Sequence, residues 1–164
     1  MTIRSAEAGD AQAIADIYNF FVSTSTITFE EEAVPAAEIA RRVEEVQSAG
    51  LPWLVAEEAG LVSGYAHAKP WRPRGAYRFS VEITVYVDPG FVRRGIGYEL
   101  YNELFSHLRA RGVHAAIGGI ALPNEPSVAL HEKLGMRKVA HFEEVGFKFD
   151  RWIDVGYWQL TFLK

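Results

Sequence analysis

Four segments of the chain carry apolar residues at the spacing of an amphipathic helix. In the first, Ile14, Ile17 and Phe21 recur every three or four positions. Pro35 and Gly50 bracket the second, as is typical of the start and the end of a helix. The pattern predicts helices over Ala11–Val22, Ala36–Ala49, Ile96–Arg111 and Pro126–Leu134.

Shorter apolar runs, rich in β-branched and aromatic residues, separate these helices and indicate strands. Two of the runs are joined by only a few residues and predict a hairpin. The predicted strands are Thr2–Ser5, Trp53–Glu57, Val62–Lys69, Tyr77–Val87, His114–Ala121, Arg137–Phe149 and Ile153–Leu163.

The order of these elements is β-α-α-β-β-β-α-β-α-β-β, without a repeat or a linker. Strands joined by short turns pair antiparallel, whereas a strand-helix-strand unit sets two strands parallel. We therefore expect a single domain over residues 1–164, of the α+β (mixed α/β) class. Its central twisted sheet should be mostly antiparallel, with a parallel pair formed by the fourth and fifth strands and with flanking helices.

Composition narrows the range of functions. The 164 residues are 49% hydrophobic and 23% charged, which is ordinary for a globular protein with a full core. The net charge of −4 provides no basic field for nucleic acid or an anionic membrane, and no apolar run is long enough to span a bilayer. The absence of cysteine excludes a disulfide scaffold, a thiolate metal site and a cysteine nucleophile. An N-terminal segment without an apolar stretch makes the cytoplasm the expected location.

The most informative segment is a basic glycine loop at the start of the third predicted helix. A strand is followed there by residues 88–97, Asp-Pro-Gly-Phe-Val-Arg-Arg-Gly-Ile-Gly, and then by the helix. Backbone N–H groups at a helix N-terminus bind anions, and Arg93 and Arg94 add positive charge. No Lys-Ser/Thr pair follows Gly97, as a Walker A loop requires, and Leu100 replaces the third glycine of a dinucleotide fingerprint. The loop is therefore either a phosphate site of another kind or a plain glycine-rich turn.

Three further segments carry a resemblance to a known family. Residues 122–136, LPNEPSVALHEKLGM, resemble the exit of the fifth strand and the following helix of the GCN5-related N-acetyltransferases. Residues 71–82 resemble the substrate loop and strand of the phosphinothricin and methionine sulfoximine/sulfone acetyltransferases, and residues 147–160 resemble the C-terminal hairpin of that branch. The order of the elements, with the glycine loop after the fourth strand, also resembles this family, so the resemblance covers essentially the whole chain.

The resemblance implies that acetyl-CoA is the co-substrate. No metal is expected, because the scattered histidines lack the spacing of metal ligands. The pantetheine arm would pair with the unpaired edge of the fourth strand, and the pyrophosphate would lie on the glycine loop. One departure is Val92, where the family often has Gln or Arg. The implied coenzyme-binding residues are Val85, Tyr86, Val87, Arg93, Arg94, Gly95, Ile96, Gly97, Tyr98, Asn124 and Ser127.

The implied reaction is direct attack of an amine on the acetyl-CoA thioester in a ternary complex. A small amine arrives mostly protonated, so that a base has to accept its proton. Glu82 is the expected base, directly or through water, because it precedes Val85 by three residues in an otherwise apolar strand. His131 stands where many family members have a tyrosine, and it could donate a proton to the departing thiolate. The alternatives are a solvent-facing Glu82 and a His131 that only packs or caps its helix.

Arg72, Arg74 and Arg78 crowd the segment that leads from the loop into the predicted fourth strand. Guanidinium groups pair with carboxylate and phosphinate oxygens, so a zwitterionic amino acid with a second polar head group suits this segment. The implied acceptors are L-methionine sulfone, methionine sulfoximine and phosphinothricin. Arg72 is the first choice among the arginines, and the alternative is that one or two of them are solvated. The expected substrate-binding residues are Phe29, Arg72, Pro73, Arg74, Tyr77, Glu82, Ile83 and Thr84.

The branch that the chain resembles also implies a homodimer with active sites near the interface, and neither nucleic acid nor a membrane is expected as a partner. Two other functions fit parts of the pattern. A transferase for protein N-termini or polyamines would share the fold, although polyamines call for an acidic groove. A coenzyme-A-binding module without catalysis would keep the glycine loop but would need neither Glu82 nor His131.

Overall fold

A computed structural model describes residues 1–163 and contains the seven strands and four helices in the predicted order. Their ends differ from the predicted ones by up to three residues. None of the helices in these residues is long and apolar enough to cross a membrane. The strands are β1 (Thr2–Ser5), β2 (Trp53–Glu58), β3 (Leu61–Pro70), β4 (Ser80–Val87), β5 (Ala115–Leu122), β6 (Arg137–Lys148) and β7 (Arg151–Thr161). The helices are α1 (Ala11–Thr24), α2 (Ala36–Ser48), α3 (Ile96–Ala110) and α4 (Glu125–Lys133).

All seven strands form one sheet, in the order β1-β2-β3-β4-β5-β7-β6. The only parallel pair in the described chain is β4 with β5, and every other neighbouring pair is antiparallel. The predicted mixed α/β class and the predicted parallel pair are therefore confirmed. The position of β7 between β5 and β6 is a feature that the order of the elements did not indicate.

The parallel pair is short, and this shortness creates the opening of the sheet. Ser80–Glu82 pair with residues 115–117 of β5, and the ladder then ends. Beyond that point β5 stays paired with β7 as far as Leu122, whereas no strand within residues 1–163 pairs with the same edge of residues 83–87. The two parallel strands thus part immediately after Glu82.

The helices cover the two faces of the sheet, and each face has its own apolar cluster. On one face, Leu100 and Leu104 of α3 are fully buried with Val81 of β4. On the other, Ile14 of α1 and Val43 of α2 pack on β2 and β3. Side chains of a strand alternate between faces. Glu82 and Thr84 therefore lie on the face of α1 and α2, while Val81 and Ile83 face α3.

Two predicted strand ends were wrong because local turns replace the ends of the ladders. Gly75–Tyr77 form a helical turn, in which Tyr77 N–H donates to the Arg74 carbonyl at 2.9 Å, so β4 begins only at Ser80. At the last hairpin, Phe149 and Asp150 have φ angles of 53° and 56° and form a two-residue turn. A tight turn of two left-handed residues lets the flanking strands start immediately on either side.

Candidate active site

Glu82 lies at the point where β4 and β5 part. Its carboxylate is 3.7 Å from the Lys69 ammonium on the neighbouring strand, and about a quarter (26%) of its side chain is exposed. It lines two adjoining cavities, an inner notch of about 90 Å³ and an outer cavity of about 440 Å³. A carboxylate at this junction can contact a group in either cavity.

The inner notch lies between the diverging ends of β4 and β5 and the start of α4. It brings together eight of the residues predicted from the sequence, and Tyr101 with Gly119, Ile120, Ala121 and Ile27 completes its walls. The predicted residues are Glu82, Ile83, Thr84, Val85, Tyr86, Asn124, Ser127 and His131. Because no strand covers this edge of residues 83–87, their backbone groups on that side can pair with an extended ligand.

The glycine loop leads from β4 into α3 and has the backbone of an anion cradle. Arg93 and Gly95 have φ angles of 64° and 75°, which turns successive N–H groups toward one side of the loop. Asp88 accepts a hydrogen bond from Gly90 N–H at 2.7 Å and fixes the turn before the loop. The Arg94 guanidinium is 3.7 Å from a carboxylate oxygen of Glu58.

The first turn of α3 provides the other half of this cradle. The Ile96 side chain is buried in the core, so only its backbone can face an anion. A Cβ on Gly97 would lie 3.3 Å from Leu130 of α4, which shows how closely the two helices approach. Lys133 of α4 lies over the ring of Tyr98, 4.5 Å from its centroid. The loop and the helix N-terminus fit a pyrophosphate, and the unpaired β4 edge fits the pantetheine arm.

Asn124 caps α4 at the mouth of the notch. Its Oδ1 accepts a hydrogen bond from Ser127 N–H at 3.3 Å, so the amide NH₂ group remains as a donor. The carbonyl of Ser127 lies 2.7 Å from Nδ1 of His131. The predicted coenzyme residues Asn124 and Ser127 therefore also organise the helix that carries His131.

His131 is 3% exposed and lies against the back of the notch. A carbonyl oxygen can only accept, so Nδ1 carries the hydrogen and Nε2 holds the lone pair of the neutral ring. Burial lowers the pKa of His131, partly opposed by the bond to Ser127. Gly118 makes room for the ring, because a Cβ there would be 2.7 Å from Nε2. The geometry holds a neutral imidazole with Nε2 as an acceptor.

Tyr101 is a residue of the notch that the sequence analysis missed. It is 1% exposed, stacks on Phe105 and meets the His131 ring edge-on at 5.3 Å between centroids. Burial raises the pKa of the Tyr101 phenol, so its hydroxyl stays protonated at neutral pH. In the sequence it looks like one more core residue of α3. Only the facing position of α4 reveals that it borders the notch.

The outer cavity is built mostly from apolar side chains of distant segments. Ile27 and Phe29 come from the α1–α2 loop, and Phe142 and Val145 come from β6. Gly119 leaves room for the ring of Tyr157, which would lie 3.0 Å from a Cβ at that position. The full lining is Ile27, Phe29, Glu82, Gly119, Ala121, Phe142, Val145, Val155 and Tyr157.

Of the residues predicted to bind the second substrate, Phe29 and Glu82 line the outer cavity, whereas Ile83 and Thr84 line the inner notch. Arg72 stands one layer away: its guanidinium lies over Trp71 at 4.0 Å, and Trp71 meets Tyr157 edge-on at 5.7 Å.

The rest of the predicted arginine segment stays outside both cavities. Arg78 lies over Phe79, 4.6 Å from the ring centroid, and donates to the Gly75 carbonyl. Pro73, Arg74 and Tyr77 are exposed and line neither cavity. The sequence placed the three arginines together, but among them only Arg72 is connected to a wall of the outer cavity.

The described residues contain other cavities, but these lack the convergence seen at Glu82. One of about 450 Å³ lies beyond the end of α3 among Phe79, Arg109 and Phe162, and shares no lining residue with the notch or the outer cavity. Within residues 1–163 no group of three His, Cys, Asp or Glu side chains is placed to hold a metal ion.

Known proteins resemble this chain over nearly its whole length. The model of the GNAT acetyltransferase domain matches residues 3–156. Phosphinothricin N-acetyltransferase of Streptomyces viridochromogenes is 42% identical over 160 residues, which cover 98% of this chain and 87% of that protein. L-methionine sulfoximine/L-methionine sulfone acetyltransferase of Salmonella typhimurium is 38% identical over 160 residues, covering 98% of this chain and 94% of that protein.

Solved structures agree with this assignment. The Salmonella typhimurium acetyltransferase yncA, solved with its cofactor acetyl-CoA, superposes with a TM-score of 0.97 at 36% identity, covering 100% of this chain and 95% of that one. A phosphinothricin acetyltransferase of Sinorhizobium meliloti in complex with acetyl-CoA has a TM-score of 0.94 at 37% identity, covering 98% and 87%. The chain therefore belongs to the GNAT acetyltransferase family and is an acetyl-CoA-dependent N-acetyltransferase.

Proposed function

We propose that the enzyme transfers acetyl to the α-amine of a small amino-acid-like acceptor, by direct attack in a ternary complex. The observation that carries this proposal is that Glu82 lines both the inner notch and the outer cavity. Acceptor and coenzyme can thus approach one carboxylate from opposite sides. L-methionine sulfone, methionine sulfoximine and phosphinothricin are the leading acceptors, in keeping with the names of the relatives.

Glu82 is the base in this proposal. Acetyl-CoA, when bound, supplies a thioester carbonyl that an amine can attack. Glu82 accepts the proton of the entering ammonium, directly or through one water, and leaves a neutral amine held at the junction of the cavities. The Lys69 ammonium, 3.7 Å away, keeps a positive charge beside the carboxylate before the acceptor enters. The entering ammonium therefore competes with Lys69 for the same oxygens.

His131 has a different role from the proton donation that the sequence suggested. Its Nδ1 hydrogen is already donated to the Ser127 carbonyl, and burial lowers the pKa of the ring. Neutral His131 presents a lone pair at Nε2, so it accepts a hydrogen bond from a water or an N–H group in the notch. It orients such a group and does not protonate the departing thiolate.

Tyr101 is the better candidate for a donor in the notch. Its hydroxyl stays protonated because burial raises the pKa of the phenol. A hydroxyl at the notch wall can donate to an oxygen or sulfur atom on which negative charge develops. Tyr101 thus takes the place that the sequence analysis assigned to His131.

Arg72 is the candidate for the acidic head group of the acceptor. The outer cavity provides apolar walls for a side chain, and Arg72 stands behind Trp71 and Tyr157 at its edge. Arg72 is stacked on Trp71 and makes one recorded side-chain hydrogen bond, to the Trp71 carbonyl. A rotation of its guanidinium would let it pair with a carboxylate or phosphinate at the cavity rim.

A homodimer is part of the same proposal. The β6–β7 hairpin exposes Phe142, Val145, Phe147, Phe149 and Trp152, each to between 52% and 64%. An exposed apolar surface of this kind is typical of an interface. Phe142 and Val145 also line the outer cavity, so a second copy seated here would border the acceptor site. Sedimentation of the wild type and of Trp152→Glu tests this, and a monomeric wild type would contradict it.

The function is tested by thiol release from acetyl-CoA with each of the three acceptors, against spermidine and a short unacetylated peptide. We expect turnover above the blank hydrolysis of acetyl-CoA with at least one of the three. Turnover with only spermidine or the peptide would favour the alternative transferases. Coenzyme binding by calorimetry without transfer to any amine would favour a binding module. Intersecting initial-rate lines for the two substrates would support a ternary complex, whereas parallel lines would indicate an acyl-enzyme.

A further inference from the structure

Lys148 is a buried charge that the proposed chemistry does not use. Its side chain lies near the end of β6 and is only 1% exposed. Its one recorded hydrogen bond runs from Nζ to the carbonyl of Thr28 at 2.8 Å, across 120 positions of the chain. Lysine is almost never fully buried unless it has a partner, and burial lowers the pKa of this ammonium. Because burying an ammonium group costs free energy, we expect Lys148 to have a structural or functional role.

Thr28 belongs to the loop of residues 25–32, which is anchored on two sides. On the side of α1, the Tyr18 hydroxyl is 2.7 Å from Thr28 Oγ1 and donates to Glu30 at 2.8 Å. Arg42 of α2 binds the same Glu30 carboxylate at 2.6 Å. On the opposite side, Lys148 is the polar contact recorded between the loop and β6 within residues 1–163. Lys148 therefore joins the loop to that strand by a hydrogen bond.

The same two elements form opposite walls of the outer cavity. Ile27 and Phe29 flank Thr28 in the loop, and Phe142 and Val145 belong to β6. The Phe29 ring rests directly on Gly146, where a Cβ would come within 2.5 Å of it. Ile27 and Phe29 are each 42% exposed, so their position depends on the backbone between them and not on deep burial.

We propose that Lys148 is a positioning residue that sets the width of the outer cavity and thereby selects acceptors by size. The inference rests on the proposed function, since it treats the outer cavity as the acceptor site. Lys148 touches neither substrate. It holds the Thr28 carbonyl so that Ile27 and Phe29 stay at a fixed distance from the β6 wall. Without this bond the loop keeps its anchors on α1 and α2 but contacts β6 through the packing of Phe29 on Gly146, without the hydrogen bond.

The test is Lys148→Met, which keeps much of the volume and removes the charge and the donor. The control is Lys138→Met, an exposed lysine on the same strand whose Nζ contacts His141. We expect the acceptor KM of Lys148→Met to rise roughly tenfold, equivalent to about 1.4 kcal/mol. The acetyl-CoA KM should stay within twofold, and Lys138→Met should resemble the wild type. The ratio of kcat/KM for methionine sulfone to kcat/KM for a bulkier amino acid, such as phenylalanine, should fall.

A second measurement does not depend on any acceptor. Hydrogen exchange of residues 25–32 should accelerate at least fivefold in Lys148→Met, without a matching change in α3. The thermal midpoint should change little, because removing the desolvation cost of the buried ammonium offsets the loss of the donor to the Thr28 carbonyl. Unchanged hydrogen exchange in residues 25–32 would contradict the role of Lys148 in holding this loop, whether or not acetyl transfer is found. Faster exchange together with unchanged acceptor KM and size preference, in an enzyme that acetylates methionine sulfone, would overturn the selective role alone.

Discussion

The inner notch and the outer cavity meet at Glu82, but different kinds of groups form their walls. The notch uses the unpaired backbone of β4 and one helix end, with its predicted residues contained in residues 82–131. The outer cavity uses apolar side chains from the α1–α2 loop, β5, β6 and β7. A site made of backbone tolerates changes of side chain, whereas a site made of side chains changes with each of them. The coenzyme side should therefore be the constant half of this enzyme and the acceptor side the adaptable half.

The largest expected effect is at the shared residue. Glu82→Gln keeps the size of the side chain but cannot accept a proton from the acceptor ammonium. We expect kcat at neutral pH to fall by roughly 10²–10⁴-fold, the usual contribution of a positioned base. Calorimetry should find acetyl-CoA binding unchanged, because the backbone of the notch is intact. Unchanged turnover at pH 7 would remove Glu82 as the base.

A second substitution should affect the acceptor side alone. Arg72→Ala removes the guanidinium behind the outer cavity, and charge-assisted hydrogen bonds are worth about 1.5–3 kcal/mol. We expect the acceptor KM to rise by roughly 10–100-fold while the acetyl-CoA KM stays constant, measured by initial rates. Arg78→Ala is the matched control, since Arg78 lies over Phe79 outside both cavities. Equal effects on the two KM values would argue against a clamp for the acidic head group.

A third substitution should affect the coenzyme side alone. Gly95 has a φ angle of +75°, and no atom lies within 4 Å of a Cβ added there, so Gly95→Ala adds backbone strain without a clash. Left-handed backbone costs a residue with a Cβ about 1–2 kcal/mol. We expect the acetyl-CoA KM to rise by roughly five- to thirtyfold. Gly9→Ala, at a position with ordinary φ and open space, is the control. A larger change in the acceptor KM than in the acetyl-CoA KM would contradict the assignment of Gly95 to the coenzyme side.

The last prediction concerns stability instead of activity, at β3, where His67 pairs with Thr84 of β4. His67 stacks on Trp53 at 4.0 Å between ring centroids, and burial lowers its pKa from 6.5 to about 3. Between these values the unfolded chain binds a proton that the folded chain does not. His67 therefore makes stability fall as pH falls through this window, by about 1.4 kcal/mol per pH unit. Urea unfolding of His67→Phe should have a shallower acid slope than the wild type and than His107→Phe. Identical slopes would contradict the buried, neutral state of His67.

Prediction from the sequence succeeded where the signal is local. Helical spacing and strand runs gave the order of the elements, because side-chain periodicity is decided within a few residues. The glycine loop could be interpreted as an anion site because a helix N-terminus and residues such as Gly95 act through their own backbone. The resemblance then assigned Glu82, Asn124 and His131 to one place, and the structure brings them together around the notch.

The sequence could not indicate features that depend on packing between distant segments. Tyr101 resembles a core residue of α3 until α4 is seen beside it. Arg74 and Tyr77 belong to a turn that carries them away from the cavities, and hydrogen bonds within that turn shorten β4. The tautomer of His131 depends on one hydrogen bond to the Ser127 carbonyl, which places the ring hydrogen on Nδ1.

The class of fold and the parallel strand pair could be predicted from the chain alone, because they follow from the periodicity of side chains and from the order of the elements. The insertion of β7 between β5 and β6, which brings Val155 and Tyr157 to the outer cavity, is visible in the folded chain alone. The same is true of the hydrogen bond between Lys148 and Thr28, two residues 120 positions apart. The walls of the outer cavity become neighbours only when distant segments pack against the sheet, so no local pattern encodes their contact.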